Sequence, residues 1–180
     1  KKSGPVLAVD ADPNATLADI LGIEVKDTLS GLCDDMLERK DNLPAGMTKD
    51  RYLEYRAQQA LVESKGMDLL VMGKPEGPGC YCFANNLLRE VVKGFTDEYK
   101  FVVIDNEAGM EHLSRKTARH IDLLLVISDY SSVGVRSAAR IYKLAQDMKI
   151  KLGKSFLIVN KAKSDGDELD GEIKKTNLAF

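Results

Sequence analysis

Three aspartates, one asparagine and two cysteines stand where their types and spacing suit chemistry. Phe101–Glu111 reads FVVIDNEAGME, a short apolar run that enters Asp105, with Gly109 following four residues later. Such a continuous run predicts a strand buried on both faces, as in a parallel sheet covered by helices. Asp105 would then stand at the strand's carboxyl end, where open α/β sheets bind their ligands. A carboxylate there orients Mg²⁺ through its bound water. A glycine just beyond it lets a backbone N–H approach a terminal phosphate. A solvated aspartate ending a strand accounts for the same residues.

The first apolar run, PVLAVD, ends in Asp10-Ala11-Asp12-Pro13-Asn14. Two carboxylates flanking one alanine, followed by Pro and Asn, predict a rigid acidic turn. In a nucleotide site such a turn supplies an outer metal contact and a group that orients attacking water. The alternative is an acidic turn capping a helix that starts near Thr16, since the helix dipole favours aspartate there. Phe156–Lys161 reads FLIVNK and places Asn160 at another strand end. Its amide both donates to and accepts from a purine edge. Guanine-binding chains follow such an Asn-Lys with an aspartate, and here that place is Lys163, so the base expected is adenine. An asparagine ending a strand is also an ordinary turn residue.

Gly73–Asn86 reads GKPEGPGCYCFANN. Its glycines and prolines forbid regular structure through Gly79. In an extended segment Cys80 and Cys82 would point the same way. Two thiolates do not complete a tetrahedral shell, but two copies across a twofold axis would, for Zn²⁺ or another thiophilic ion. A redox dithiol and two incidental thiols are the alternatives.

Apolar runs at Pro5–Val9, Asp68–Met72, Phe101–Ile104, Leu123–Ile127 and Phe156–Val159 predict the strands that position these groups. Helix-length segments separate them. The class expected is α/β, a mostly parallel sheet with helices on both faces. Thr48–Ser64 and Ser132–Met148 carry apolar residues at helical spacing and read as packing helices. Asp27–Lys40 reads as another helix, with Cys33 a small buried filler. Lys163–Phe180 is polar until its last three residues. With 180 residues and a net charge of -2, the chain supports one domain and offers no basic patch for nucleic acid. No apolar run approaches the ~20 residues that span a bilayer. An odd count of three cysteines favours a reducing, cytoplasmic setting.

Three stretches, VLAVDADPNATLADILG, DLLVMGKPEGPGCYCFANNLLREVV and FVVIDNEAGMEHLSRKTARHIDLLLVIS, resemble the accessory ATPases of nickel-containing carbon monoxide dehydrogenase. These belong to the MinD/ParA-like deviant-Walker ATPases, relatives of the nitrogenase iron protein. The resemblance runs from Pro5 to about Lys161, and EGPGCYC and DNEAGMEHLSR are its specific parts. It implies a homodimer formed with ATP and Mg²⁺ that delivers nickel to a carbon monoxide dehydrogenase or acetyl-CoA synthase. Asp12 matches the water-activating aspartate of the first switch, with Asp10 a neighbour of the Mg²⁺ site. Asp105 matches the Walker B carboxylate, Gly109 the second-switch glycine and Asn160 the adenine contact. Cys80 and Cys82 match the pair that holds Ni²⁺ or Zn²⁺ between subunits.

The sequence departs from that pattern at both ends: family members start with a further strand and a phosphate loop, and usually continue well past the Asn160 strand. Residues 1–180 contain no GxxxxGK[ST] phosphate loop, which family members carry ahead of the first strand seen here. The expectation is a single nucleotide-binding-type domain, incomplete at both ends, within a longer Mg²⁺-dependent ATPase. The 180 residues alone would then show no turnover. A metal-binding scaffold without catalysis is the alternative function, and a partition or septum-site ATPase a more distant one.

Overall fold

A strand with partners on both sides can bury every side chain it carries, and β1 (Val6–Asp10) does so along almost its whole length. In this computed structural model, which describes residues 6–38, 46–74, 80–95, 98–109, 120–162, 169–176 and 178, β1 lies between two parallel neighbours. These are β3 (Asp68–Val71) and β4 (Phe101–Asp105). A two-residue strand, β2 (Val62–Glu63), pairs antiparallel with β3 and completes the sheet in the order β2-β3-β1-β4.

Alternation along the strands divides the apolar residues between two faces. Leu7 and Val9 of β1, with Leu70 of β3, face one core. That core is completed by Leu29, Leu32 and Cys33 of α2 (Leu29–Glu38), Ala57 of α3 (Lys49–Gln59), and Leu87, Leu88, Val91, Val92 and Phe95 of α4 (Cys80–Phe95). Ala8, Leu69 and Val71 face the other side, where Ala18 of the short helix α1 (Leu17–Leu21) covers them. The sheet is thus mostly parallel with helices on both faces, as its sequence pattern predicts.

Local chemistry sets the helix ends. The Thr48 hydroxyl accepts the Arg51 N–H at 3.4 Å to start α3. Gly73 turns the chain out of β3 at φ 72, where an added Cβ would lie 2.5 Å from the Thr28 hydroxyl oxygen. Only glycine meets both conditions.

Residues 1–108 and 109–180 form two compact units. In the second, β5 (His120–Asp129) pairs in parallel with β6 (Lys151–Asn160). Val135 and Ala138 of α5 (Ser132–Asp147) pack on Val126 and Leu157, joined by Leu169 just before α6 (Asp170–Lys174). Ser131 caps α5 by accepting the Gly134 N–H at 3.0 Å. Leu123, Leu125, Ile127, Phe156 and Ile158 on the alternate positions are exposed.

Three expectations need correction. β4 is not buried on both faces: Val102 and Ile104 pack on the core, whereas Phe101 and Val103 are 50% and 58% exposed. It borders the sheet instead of lying within it. α3 ends at Gln59, and the chain extends into β2 where the helix was expected to continue to Ser64. Cys80 and Cys82 lie in the first turn of α4 instead of an extended segment, so the same-side geometry of a strand does not hold for this backbone.

Candidate functional site

Asp10 and Asp105 end adjacent parallel strands in matching register. The N–H of Ala11 donates to the Asp105 carbonyl at 2.8 Å, which ties the chain leaving β1 to the end of β4. The N–H of Met72 donates to the Asp10 carbonyl at 2.8 Å and ties β3 to the same point. Two of the three sequence-predicted aspartates are therefore brought together by the parallel pairing itself, at the carboxyl edge where α/β sheets bind ligands.

The loop after β1 places the third. Asp10 is fully buried; its Oδ1 accepts the Asp12 N–H at 3.1 Å and its Oδ2 accepts the Leu17 N–H at 2.9 Å. Asp12 is half-buried, and its Oδ1 accepts both the N–H of Asn14 at 2.8 Å and the Asn14 side-chain amide at 2.9 Å. The turn closes when the Ala15 N–H donates to the Asp12 carbonyl at 3.0 Å, with Ala15 at φ 52. The capping reading of this turn is realised: Asp10 accepts the first N–H of α1, while Asp12 is held at the surface of the turn.

Charge accumulates here. Asp105 is exposed as a residue, yet partial withdrawal of its carboxyl from water raises its pKa above the ordinary carboxylate value. The negative charges of Asp10 and Asp12 push it further the same way. A cation brought to these strand ends would relieve that repulsion, so the donor set fits a hard, oxygen-preferring ion such as Mg²⁺.

Gly109 adopts φ 114, which L side chains rarely adopt, and a Cβ there would meet nothing within 4 Å. Asn160 ends β6 in the second unit, exposed, and its Oδ1 accepts the Lys161 N–H at 2.8 Å. Its register partner Asp129 ends β5 and accepts the Ser131 hydroxyl at 2.7 Å. Asp129 was not singled out from the sequence, although it too closes an apolar run. The side chains of Cys80 and Cys82 lie outside the described residues. Among the described residues no group of three or more His, Cys, Asp and Glu side chains is arranged to hold a metal ion. No described helix is long and apolar enough to cross a membrane.

Comparison with known proteins identifies relatives of the chain and of its fold. The chain is 46% identical to the ATP-binding protein MJ0685 of Methanocaldococcus jannaschii, over 99% of its own length and 72% of that protein's. It is 31% identical to the carbon monoxide dehydrogenase accessory protein CooC of Rhodospirillum rubrum, over 81% of this chain and 60% of that one. The septum site-determining protein MinD of Pyrococcus horikoshii, solved with Mg-ADP, superposes with a TM-score of 0.66. That match covers 99% of this chain and 68% of MinD at 16% identity, and so bears on the fold. No family model matches the chain.

Proposed function

Because the chain belongs to the family of ATP-binding proteins that includes MJ0685 of Methanocaldococcus jannaschii, we propose that its strand-end aspartates serve a Mg²⁺-dependent ATPase whose turnover drives metal insertion. The fold is that of the MinD/ParA P-loop ATPases. The observation that carries the reading is the pairing of Asp10 with Asp105 at the ends of β1 and β4, with Asp12 on the adjoining turn.

In this reading Asp105 would hold the Mg²⁺ through a bound water, and Asp12 would orient the water that attacks the terminal phosphate. When bound, Mg²⁺ offsets the charge of the β- and γ-phosphates. With Oδ1 of Asp12 held by Asn14, Oδ2 has no hydrogen-bond partner among the described residues and is left to accept from a water. For the second unit, taken by itself, the resemblance gives Gly109 a phosphate-side role and Asn160 an adenine contact.

The finer proposal is nickel insertion into a carbon monoxide dehydrogenase or acetyl-CoA synthase in the cytoplasm. It draws support from the 31% identity to the protein named a carbon monoxide dehydrogenase accessory protein. It also draws on Cys80 and Cys82, with nickel or zinc as cargo shared between two subunits. Two thiolates per subunit close a tetrahedral shell only in a dimer.

Sedimentation of the native protein with ATP, combined with metal analysis, tests this. The expected result is a dimer carrying about one metal ion, lost in the Cys80→Ala, Cys82→Ala double variant. A double variant that retains the full metal content removes these cysteines from the role and leaves the ATPase reading standing.

A further inference from the structure

We propose that Asp10 is a positioning residue, whose buried carboxylate clamps the turn carrying Asp12 and so fixes where Asp12 meets the attacking water. The proposal rests on the ATPase reading of Asp12. Its basis is the way Asp10 uses its oxygens. Oδ1 takes the N–H of Asp12 itself, and Oδ2 takes the N–H of Leu17, the first residue of α1. One side chain thus holds both ends of the turn, while its own backbone is tied to β3 through Met72 and its neighbour Ala11 to β4.

The chemistry requires a carboxylate. Both partners are N–H donors, and an ionised aspartate is acceptor-only at both oxygens. Asparagine in the same place would keep one acceptor and turn an amide NH₂ toward the other donor, so one end of the turn comes loose. Complete burial of Asp10 adds to the effect, because no water is at hand to take over the lost bond. Asp12 differs in kind: it is half-buried, held by one oxygen, and its other oxygen is uncommitted among the described residues. Asp10 therefore acts through Asp12 and stands behind the chemistry.

Misplacing a reacting group by about an ångström costs on the order of 100-fold in rate. In the native protein, Asp10→Asn should lower the kcat for ATP by about 10- to 100-fold while nucleotide affinity changes less than about threefold. Amide exchange at Asp12 and Leu17 should accelerate by about tenfold, with the amides of β3 unchanged. The Asp10→Asn, Asp12→Ala double variant should turn over no more slowly than Asp12→Ala alone, since both act at one point.

Independent, multiplying losses in the double variant, or a loss of nucleotide affinity that tracks kcat, would overturn the positioning role. If Asp10→Asn does not fold, exchange in the unaltered protein decides: fast exchange at the Asp12 and Leu17 amides refutes the clamp, and protection there supports it. If the unaltered protein shows no ATP turnover, the ATPase reading fails separately, and the positioning role falls with it even where the amides are protected.

Discussion

β1 and β5 carry apolar runs of the same kind but end in different surroundings. Leu7 and Val9 of β1 are 0% exposed, whereas Leu123, Leu125 and Ile127 of β5 are 50%, 47% and 64% exposed. β1 has a parallel strand on each side and helices on both faces; β5 pairs with β6 and is covered by α5 on one face. The number of covered faces is a property of place in the sheet, which a single apolar run does not encode. The difference has a functional side. Asp10 ends a strand with a parallel partner on each side and holds the turn that carries Asp12, and register pairing sets Asp105 of β4 beside it, so their mutual geometry comes with the fold. Asn160 ends a strand with one open face.

Truncation should expose that contrast most strongly. Leu88 is fully buried in the core of the four-stranded sheet, and Leu88→Ala should cost about 2–5 kcal/mol in urea unfolding. Ile127→Ala, at an exposed position, should change stability by less than ~1 kcal/mol. Equal costs at the two sites would erase the distinction between the sheets.

A smaller effect is expected at the opposite edge of the first sheet. The Tyr99 hydroxyl donates to Asp68 Oδ2 at 2.5 Å, joining the start of β3 to the segment before β4. Burial, and then the bond to Asp68 and its charge, raise the Tyr99 pKa above the ordinary phenol value. Tyr99→Phe leaves the Asp68 oxygen without this donor and should cost about 1–2 kcal/mol. The cost should vanish in an Asp68→Ala background, which has no side-chain acceptor, if the pair is the cause.

Asp105 should give the smallest shift and one of opposite sign. Its raised pKa means the folded state holds this proton more tightly than the unfolded chain. Stability is therefore lost as pH rises from the ordinary carboxylate value through the raised one, and the penalty is complete above it. At neutral pH without metal, Asp105→Asn should raise Tm by about 1–3 °C, a modest gain because the carboxyl is partly solvated. The gain should disappear at acid pH, where Asp105 is protonated, and calorimetry across pH checks both halves.

Much of this arrangement was legible in the sequence, for physical reasons that differ by element. All five apolar runs became strands, but β5 and β6 extend beyond them: His120 pairs with Lys151 and Asp129 with Asn160. Backbone pairing continues where side chains are polar, so hydropathy marks only the packed middle. The strand-end aspartates were readable because an apolar run that stops on a carboxylate advertises its own carboxyl edge. The helix at Cys80 was misread from the Gly and Pro residues before it. The packing of Leu87, Leu88, Val91, Val92 and Phe95 at helical spacing decides that segment. The bond from Leu17 back to Asp10 and the bond from Tyr99 to Asp68 join residues with no local signal between them.

The central claim, that the turn after β1 orients water for attack on a nucleotide phosphate, is tested most directly by single-turnover ATP hydrolysis in the native protein and its Asp12→Ala variant. Nucleotide affinity is measured alongside. The expected result is Mg²⁺-dependent phosphate release that falls by about 100- to 10,000-fold in the variant, with affinity changed less than about threefold. Phosphate release by Asp12→Ala at the rate of the unaltered protein would contradict it.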